Sequence, residues 1–289
     1  MQPLIWDHRP DGLRAPALIC AFTGWNDAGD AASSALSFVG ASLGATRFAQ
    51  IDPEEFYDFQ TVRPKVKLGP GGVREIVWPA VEIFVARVPR APRDLVLLGG
   101  PEPSMRWRAF SGLILDLAEA LGVQLVASLG ALLADVPHSL PVPVSGGASD
   151  PAVAERRGLH GSSYEGPTGI VGVLASSCTE RGIPSASLWA SVPHYVAAAP
   201  NPKAALALVR KLEGLVGVSV DASELETAAA DYERQVGLAV QSDPDVQAFV
   251  ERLEQLAADE QQGEEPQDIS GDRIAREFQR FLRQRGNDQ

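Results

Sequence analysis

The sequence predicts an α/β protein. Residues 1–220 read as a three-layer sandwich whose largely parallel sheet is covered on both faces, and residues 221–289 as a helical C-terminal segment. Three observations predict this. Over the first 220 residues short apolar runs alternate with small-residue, helix-like stretches at the spacing of right-handed crossover units. The runs are continuous rather than alternating, as in strands buried on both faces. After Val220 the strand pattern stops and only amphipathic helices remain.

Each element has its own signal. Residues 16–22, PALICAF, make the first buried strand and end in Thr23-Gly24-Trp25-Asn26-Asp27. A helix follows from about Ala28 to Leu43. Asn26 or Asp27 offers an N-cap, because a short side-chain oxygen can accept from the first free amides, and Gly44 offers a stop. Residues 46–51 read as a strand. A polar connection through Arg63-Pro64 then leads to a pair of strands at 74–78 and 81–88. Residues 94–98 form another buried run, ended by the turn Gly99-Gly100-Pro101-Glu102-Pro103. Phe110, Leu113, Ile114 and Leu117 have helical spacing and predict a helix over about 107–121, stopped by Gly122. Residues 123–129 read as a strand and 141–144 as a short extended segment. Residues 168–181 read as a helix opened by Gly166-Pro167, 185–192 as the last strand, and 202–216 as a helix with Pro202 in its first turn.

In the C-terminal segment Leu225, Tyr232 and Val236 mark a first helix. Asp243-Pro244 starts a second, with Val246, Phe249, Val250, Leu253 and Leu256 on one face. Ile274, Phe278, Phe281 and Leu282 mark a third, beyond a polar linker at 261–268. A single such helix is marginal in water, so these must pack on one another, on the body or on another subunit.

Charge and composition narrow the function. With 45% apolar and 21% charged residues the chain is ordinary globular material. Its net charge is −12, and no Lys/Arg cluster stands out, so nucleic acid is not an expected partner. Residues 221–289 hold 17 acids against 7 Arg and no Lys. The first 220 residues are nearly neutral, which places a boundary near 220. Those acidic helices offer either solvated faces or a surface for a basic partner. Cys20 and Cys178 cannot build a disulfide framework and lie in no metal-type spacing. The first residues lack a basic region followed by a long apolar run, and no stretch approaches ~18 consecutive apolar residues. The expectation is a soluble, cytoplasmic protein without membrane, metal or cofactor.

In an open α/β sheet ligands bind at the carboxyl ends of the strands. The loops there are 24–29, 99–107, 130–139 and 192–195, with the helix opening at 165–169 facing the same edge. Gly24-Trp25-Asn26-Asp27-Ala28-Gly29 sits between strand and helix but matches neither phosphate-loop pattern, so Asp27 reads as a cap or as polar recognition at a cleft. Gly40-Ala-Ser42-Leu-Gly44 matches the hydrolase G-x-S-x-G pattern only literally, since it closes a helix instead of linking a strand to one. Among His8, His138, His160 and His194 there is no zinc spacing. Asp135-Val-Pro-His138-Ser139 reads as a turn with local hydrogen bonds. His194, just past a buried strand, is better placed for a general base or a partner-facing ring. Glu165-Gly166-Pro167-Thr168-Gly169 opens a helix with free amides and little bulk, which suits an anion or carbonyl, or simply a tight loop. Trp25, Trp107 and Trp189 read as core or interface aromatics.

Four of these pieces occur in one order: Gly24-Trp25-Asn26-Asp27-Ala28-Gly29; Gly100-Pro101-Glu102-Pro103 with Arg106-Trp107; Glu165-Gly166-Pro167-Thr168-Gly169-Ile170; and Val192-Pro193-His194-Tyr195. The ordered set resembles the proteasome assembly chaperone 2 family in its long actinobacterial form, over about residues 14–220. The resemblance implies a fold like the phosphorylase/hydrolase sandwich of purine nucleoside phosphorylases, no established catalytic residues, and a biological role that is largely unassigned in bacterial members. Eukaryotic and archaeal members bind proteasome alpha subunits. Proteasome-binding members commonly end in a hydrophobic-Tyr-any tail, whereas this sequence ends Arg285-Gly286-Asn287-Asp288-Gln289, so docking here would use another surface.

Two functions then compete. One is a non-enzymatic protein-interaction module, chaperone-like and proteasome-linked, presenting Trp25, Asn26, Asp27, Gly29, Trp107, Glu165, Gly166, Thr168, Gly169 and His194 at the strand ends. The other is a small-molecule enzyme or binder of the nucleoside phosphorylase or hydrolase sort, with Asp27, Glu165, Thr168 and His194 as its polar groups. The apolar stripe Val246/Phe249/Val250/Leu253 predicts packing within or between subunits, and the expected assembly is a homo-oligomer, a trimer first.

Overall fold

The structure, a computed structural model, describes residues 3–159, 165–196 and 199–262. In chain order β1 (Leu4–Trp6) leads to β2 (Ala17–Thr23), α1 (Ala31–Ser42) and β3 (Thr46–Ile51). β4 (Lys65–Leu68) and β5 (Arg74–Val77) precede β6 (Val81–Ala86), β7 (Leu95–Pro101) and α2 (Trp107–Ala120). Next come β8 (Leu125–Ala134), β9 (Val144–Ala148), α3 (Pro151–Arg157), α4 (Ile170–Arg181), β10 (Ser185–Pro193) and α5 (Pro202–Val216). α6 (Ser223–Gln241) and α7 (Pro244–Gln262) follow.

The main sheet has the order β1-β3-β6-β7-β2-β8-β10-β9. Its centre, β7-β2-β8-β10, is parallel, as the continuous apolar runs require. The flanks are antiparallel: β6, β3 and β1 on one side, β9 on the other. Alternation along the central strands feeds two cores. Ile19, Leu97, Leu129 and Leu188 meet α1 and α5, while Leu18, Leu98, Val126 and Phe22 meet α2 and α4. Helix on both faces of one sheet gives the three layers. Cys20 and Cys178 are free and buried in the second core, where burial pushes both thiols up.

One strand expectation is corrected, and the partners of two other strands become clear. Segments 74–77 and 81–86 are both strands, but they do not pair: β5 pairs with β4 in a separate hairpin, and β6 joins the main sheet. The extended segment expected at 141–144 lies later, as β9, whose Gly146 packs against the backbone of Ser187 with no room for a side chain.

α6 packs along α5, and α7 folds back on α6. Val236, Val240 and Val250 form a small third core with Tyr195, Val196, Tyr232 and Val246. The apolar stripe of the second tail helix is therefore satisfied within the chain. The expected third helix around 274–282 lies outside the described residues, as does His160. Among the described residues no helix is long and apolar enough to cross a membrane.

Candidate functional site

The loops leaving the parallel strands carry most of the polar residues singled out above, and they resolve into two groups.

The first surrounds Glu102, immediately after β7. Its Oε1 accepts from Asn26 Nδ2 and from the Ile170 backbone N–H, both at 2.8 Å. One carboxylate thus ties the loop after β2 to the first amide of α4. The helix opening that could have held an external anion is taken by the protein's own acid. Gly169 leaves room for this contact: a Cβ would lie 2.5 Å from Asn26 Nδ2 and 2.8 Å from Glu102 Oε1 and would push the two side chains aside. Asn26 is 1% exposed, and among the described residues its Oδ1 has no hydrogen-bond partner.

Asp27 caps α1 across an intervening 3-10 turn. Its carboxylate accepts from Ala32 N at 2.7 Å, Ser33 N at 3.2 Å and Ser33 Oγ at 2.5 Å. Burial raises its pKa above the ordinary carboxylate value, against the pull of those donors. Gly29 adopts φ +60°, and its carbonyl accepts from Asn201 N at 2.7 Å, which fastens the loop to the start of α5. Trp107 opens α2 and donates its indole N–H to the Pro103 carbonyl at 2.6 Å. Glu165, Gly166 and Thr168 lie exposed on the approach to α4. Trp25 is 45% exposed and Met105 43%.

The second group follows β8 and β10. His194 Nδ1 stands 3.0 Å from Asp135 Oδ1. Its ring meets Tyr195 edge-on and Phe249 of α7 at 5.5 Å between centroids. The Tyr195 hydroxyl lies 2.7 Å from the backbone N–H of His138 and 2.8 Å from His138 Nδ1. Burial pushes the Tyr195 phenol up to about 12. Asp135 and His138 therefore bond across to the β10 loop, not within their own turn. Among the described residues no hydrogen bond or ion pair joins Asn26, Glu102 or Gly169 to His194. Nor does any group of three or more His, Cys, Asp or Glu stand ready to hold a metal among them.

Glu102 is the residue that pattern reading passed over. It appears in the ordered motif set, yet nothing local marks it, because its two partners are 76 and 68 residues away.

The model of the PAC2 family matches residues 21–240. The chain belongs to the PAC2 family. A solved PAC2 family protein from Streptomyces avermitilis is 51% identical, with TM-score 0.76, covering 81% of this chain and 99% of its own. A proteasome-assembly chaperone homologue from Mycobacterium tuberculosis is 45% identical, with TM-score 0.75 and the same coverages of 81% and 99%. An archaeal proteasome activator from Pyrococcus furiosus shares the fold, at 18% identity and TM-score 0.62 over 82% of this chain and 97% of its own. No curated protein matches the chain. The PAC2 match contains both groups of strand-end residues, whereas α7, with Phe249 on His194, lies beyond it.

Proposed function

We propose that this PAC2 protein is a non-enzymatic protein-interaction module of the proteasome-chaperone kind, working in the cytoplasm as a homo-oligomer. One observation carries the reading. Where described contacts exist, the acids and rings at the strand ends are occupied in holding loops: Asp27 on α1, Glu102 on Asn26 and α4, Asp135 on His194, and Tyr195 on His138. The result is a braced edge from which Trp25 and Met105 project, and a rigid scaffold with exposed aromatic and Met side chains suits recognition of another protein. The names of its relatives add the partner class: one is a proteasome-assembly chaperone homologue, another a proteasome activator.

The β4–β5 hairpin supports self-association. Val66, Leu68 and Ile76 are exposed on it, and an isolated two-stranded hairpin is marginal in water. Strand pairing also sets Lys65, Lys67 and Arg74 on one hairpin, with Glu75 opposite Lys67, a net basic arm on a chain of net charge −12 that suits contact with a second copy; a trimer is the first assembly to test.

Sedimentation velocity of the full chain mixed with proteasome core particles tests the main reading. Co-sedimentation at micromolar concentration, weakened by Trp25→Ala, is expected. Independent sedimentation of the two at tens of micromolar would overturn it.

A further inference from the structure

A groove of about 610 Å³ runs between α6, α7 and the turn carrying His138 and Ser139. Its floor is small and apolar, with Ala230, Gly237 and Val250, and Leu238, 63% exposed, stands at its rim. Three carboxylates and one cation line it; Arg234 is held by Asp231 at 2.7 Å, and the carboxylates are not equivalent. Glu233 is paired with Lys203 Nζ at 2.5 Å. Among the described residues Glu251 and Glu254 have no cation. Glu251 accepts from Gln247 Nε2 at 2.9 Å and Glu254 from the Ser139 hydroxyl, both neutral donors. Spaced i,i+3 on α7, these two charges share one helix face.

A second feature of the groove is independent of this charge. His138 is only 7% exposed. The Tyr195 hydroxyl accepts from its backbone N–H, and its own proton is then free for Nδ1, 2.8 Å away. With the hydroxyl proton assigned to Nδ1, the neutral ring carries its own proton on Nε2. Nε2 lies 3.6 Å from where a Cβ on Gly237 would stand, on the groove floor, and among the described residues nothing accepts from it. His138 is thus a nearly buried residue whose Nε2 opens onto the groove, where an acceptor can reach it.

The groove thus offers two carboxylates without an ion-pair partner among the described residues, one N–H donor, an apolar floor and an exposed leucine at the rim. We propose that it receives a positively charged, amphipathic peptide segment of a partner protein. Lysine or arginine side chains meet Glu251 and Glu254, apolar side chains lie on Val250 and Leu238, and a backbone carbonyl accepts from His138 Nε2. This is helix-in-groove recognition with a charged wall. It rests on the interaction-module reading and names the chemistry of the partner at one surface.

The probe is a fluorescein-labelled 14-residue amphipathic peptide of Leu, Ala and Lys, with a Glu-for-Lys counterpart, followed by anisotropy against the full chain. The Lys peptide is expected to bind about tenfold more weakly to Glu251→Gln/Glu254→Gln, whose amides keep the acceptor oxygens while removing both charges. Glu155→Gln/Glu180→Gln, an equal charge change elsewhere, should leave binding unchanged. Raised salt should weaken binding, and the probe should shift the ¹⁵N resonance of His138 Nε2. Equal weakening by the two double variants, an unmoved His138 resonance, equal binding of the Glu peptide, or no binding of the Lys peptide overturns the proposal. Thermal unfolding of both variants shows that each is folded. Core-particle sedimentation separates the two levels. If wild type co-sediments while the Lys peptide does not discriminate, the groove inference falls and the module reading stands. A discriminating probe with no co-sedimentation keeps the groove and removes the proteasome reading.

Discussion

Glu102→Ala is the sharpest test of how the strand ends are braced. The substitution removes the acceptor of two hydrogen bonds, from Asn26 Nδ2 and Ile170 N, each 2.8 Å long. Asn26 is 1% exposed and Ile170 is fully buried, so water does not readily replace the lost oxygen. A hydrogen bond to a charged group contributes about 1.5–3 kcal/mol. Among the described residues Asn26 Oδ1 already lacks a partner, so the variant leaves that amide with no side-chain hydrogen bond to them. Glu102 itself is half-buried, which lowers the total to about 3–5 kcal/mol. Glu102→Gln keeps an acceptor and loses only the charge, and should cost about 1 kcal/mol. Urea unfolding of the three chains gives both differences directly, and the Ala variant should also melt roughly 6–20 °C lower. A double-mutant cycle with Asn26→Ala should show coupling of about 1 kcal/mol or more, because both changes break one contact. Loss of less than ~1 kcal/mol in the Ala variant, or equal losses for Ala and Gln, would refute the bracing role.

Three further outcomes follow from the tail and the hairpin. Phe249→Asp places a carboxylate against the rings of His194 and Tyr195, so α7 should detach: protease cleavage near 244–262 should speed up severalfold while the sandwich keeps its unfolding midpoint, and unchanged cleavage would contradict this. His138 has its pKa lowered below the ordinary 6.5, first by burial and then by Lys203, so the unfolded chain binds that proton more readily. Stability should therefore fall as pH drops through and below 6.5, and more in wild type than in His138→Gln; parallel pH profiles would count against it. Val66→Glu with Ile76→Glu charges the exposed face of the β4–β5 hairpin and should turn an oligomer into a monomer by light scattering, whereas a wild-type monomer at micromolar concentration would dispose of the self-association proposal.

The sandwich was legible because burial on both faces writes itself into sequence as unbroken apolar runs. β2, β7, β8 and β10 all carry one, and the helices between them end at glycines with positive φ such as Gly44, Gly122 and Gly182. The edges were less legible for a physical reason. β9 reads VSGGA, where close approach to Ser187 demands glycine and leaves no apolar signal. β4 reads KVKL and is exposed throughout, so no core imprints a pattern on it. The ordered motif set identified the family without revealing what its residues do, because motif order records the course of the chain and not the contacts across it.

Those contacts follow from register once the sheet is known. β8 and β10 are parallel with Ala134 opposite Pro193, so the next residue on each strand, Asp135 and His194, must emerge side by side, and they do, at 3.0 Å. β2 and β7 are parallel with Thr23 opposite Pro101, so Gly24 and Glu102 emerge together. Glu102 N bonds to the Thr23 carbonyl at 2.9 Å, which aims its carboxylate across the loop that holds Asn26. Neither pairing is visible in local sequence, since Asp135 lies beside His138 and Glu102 beside two prolines. Each is the first residue past a registered strand end, where a parallel sheet sets independent loops against each other. In this fold the two braces at the strand-end edge are consequences of strand register.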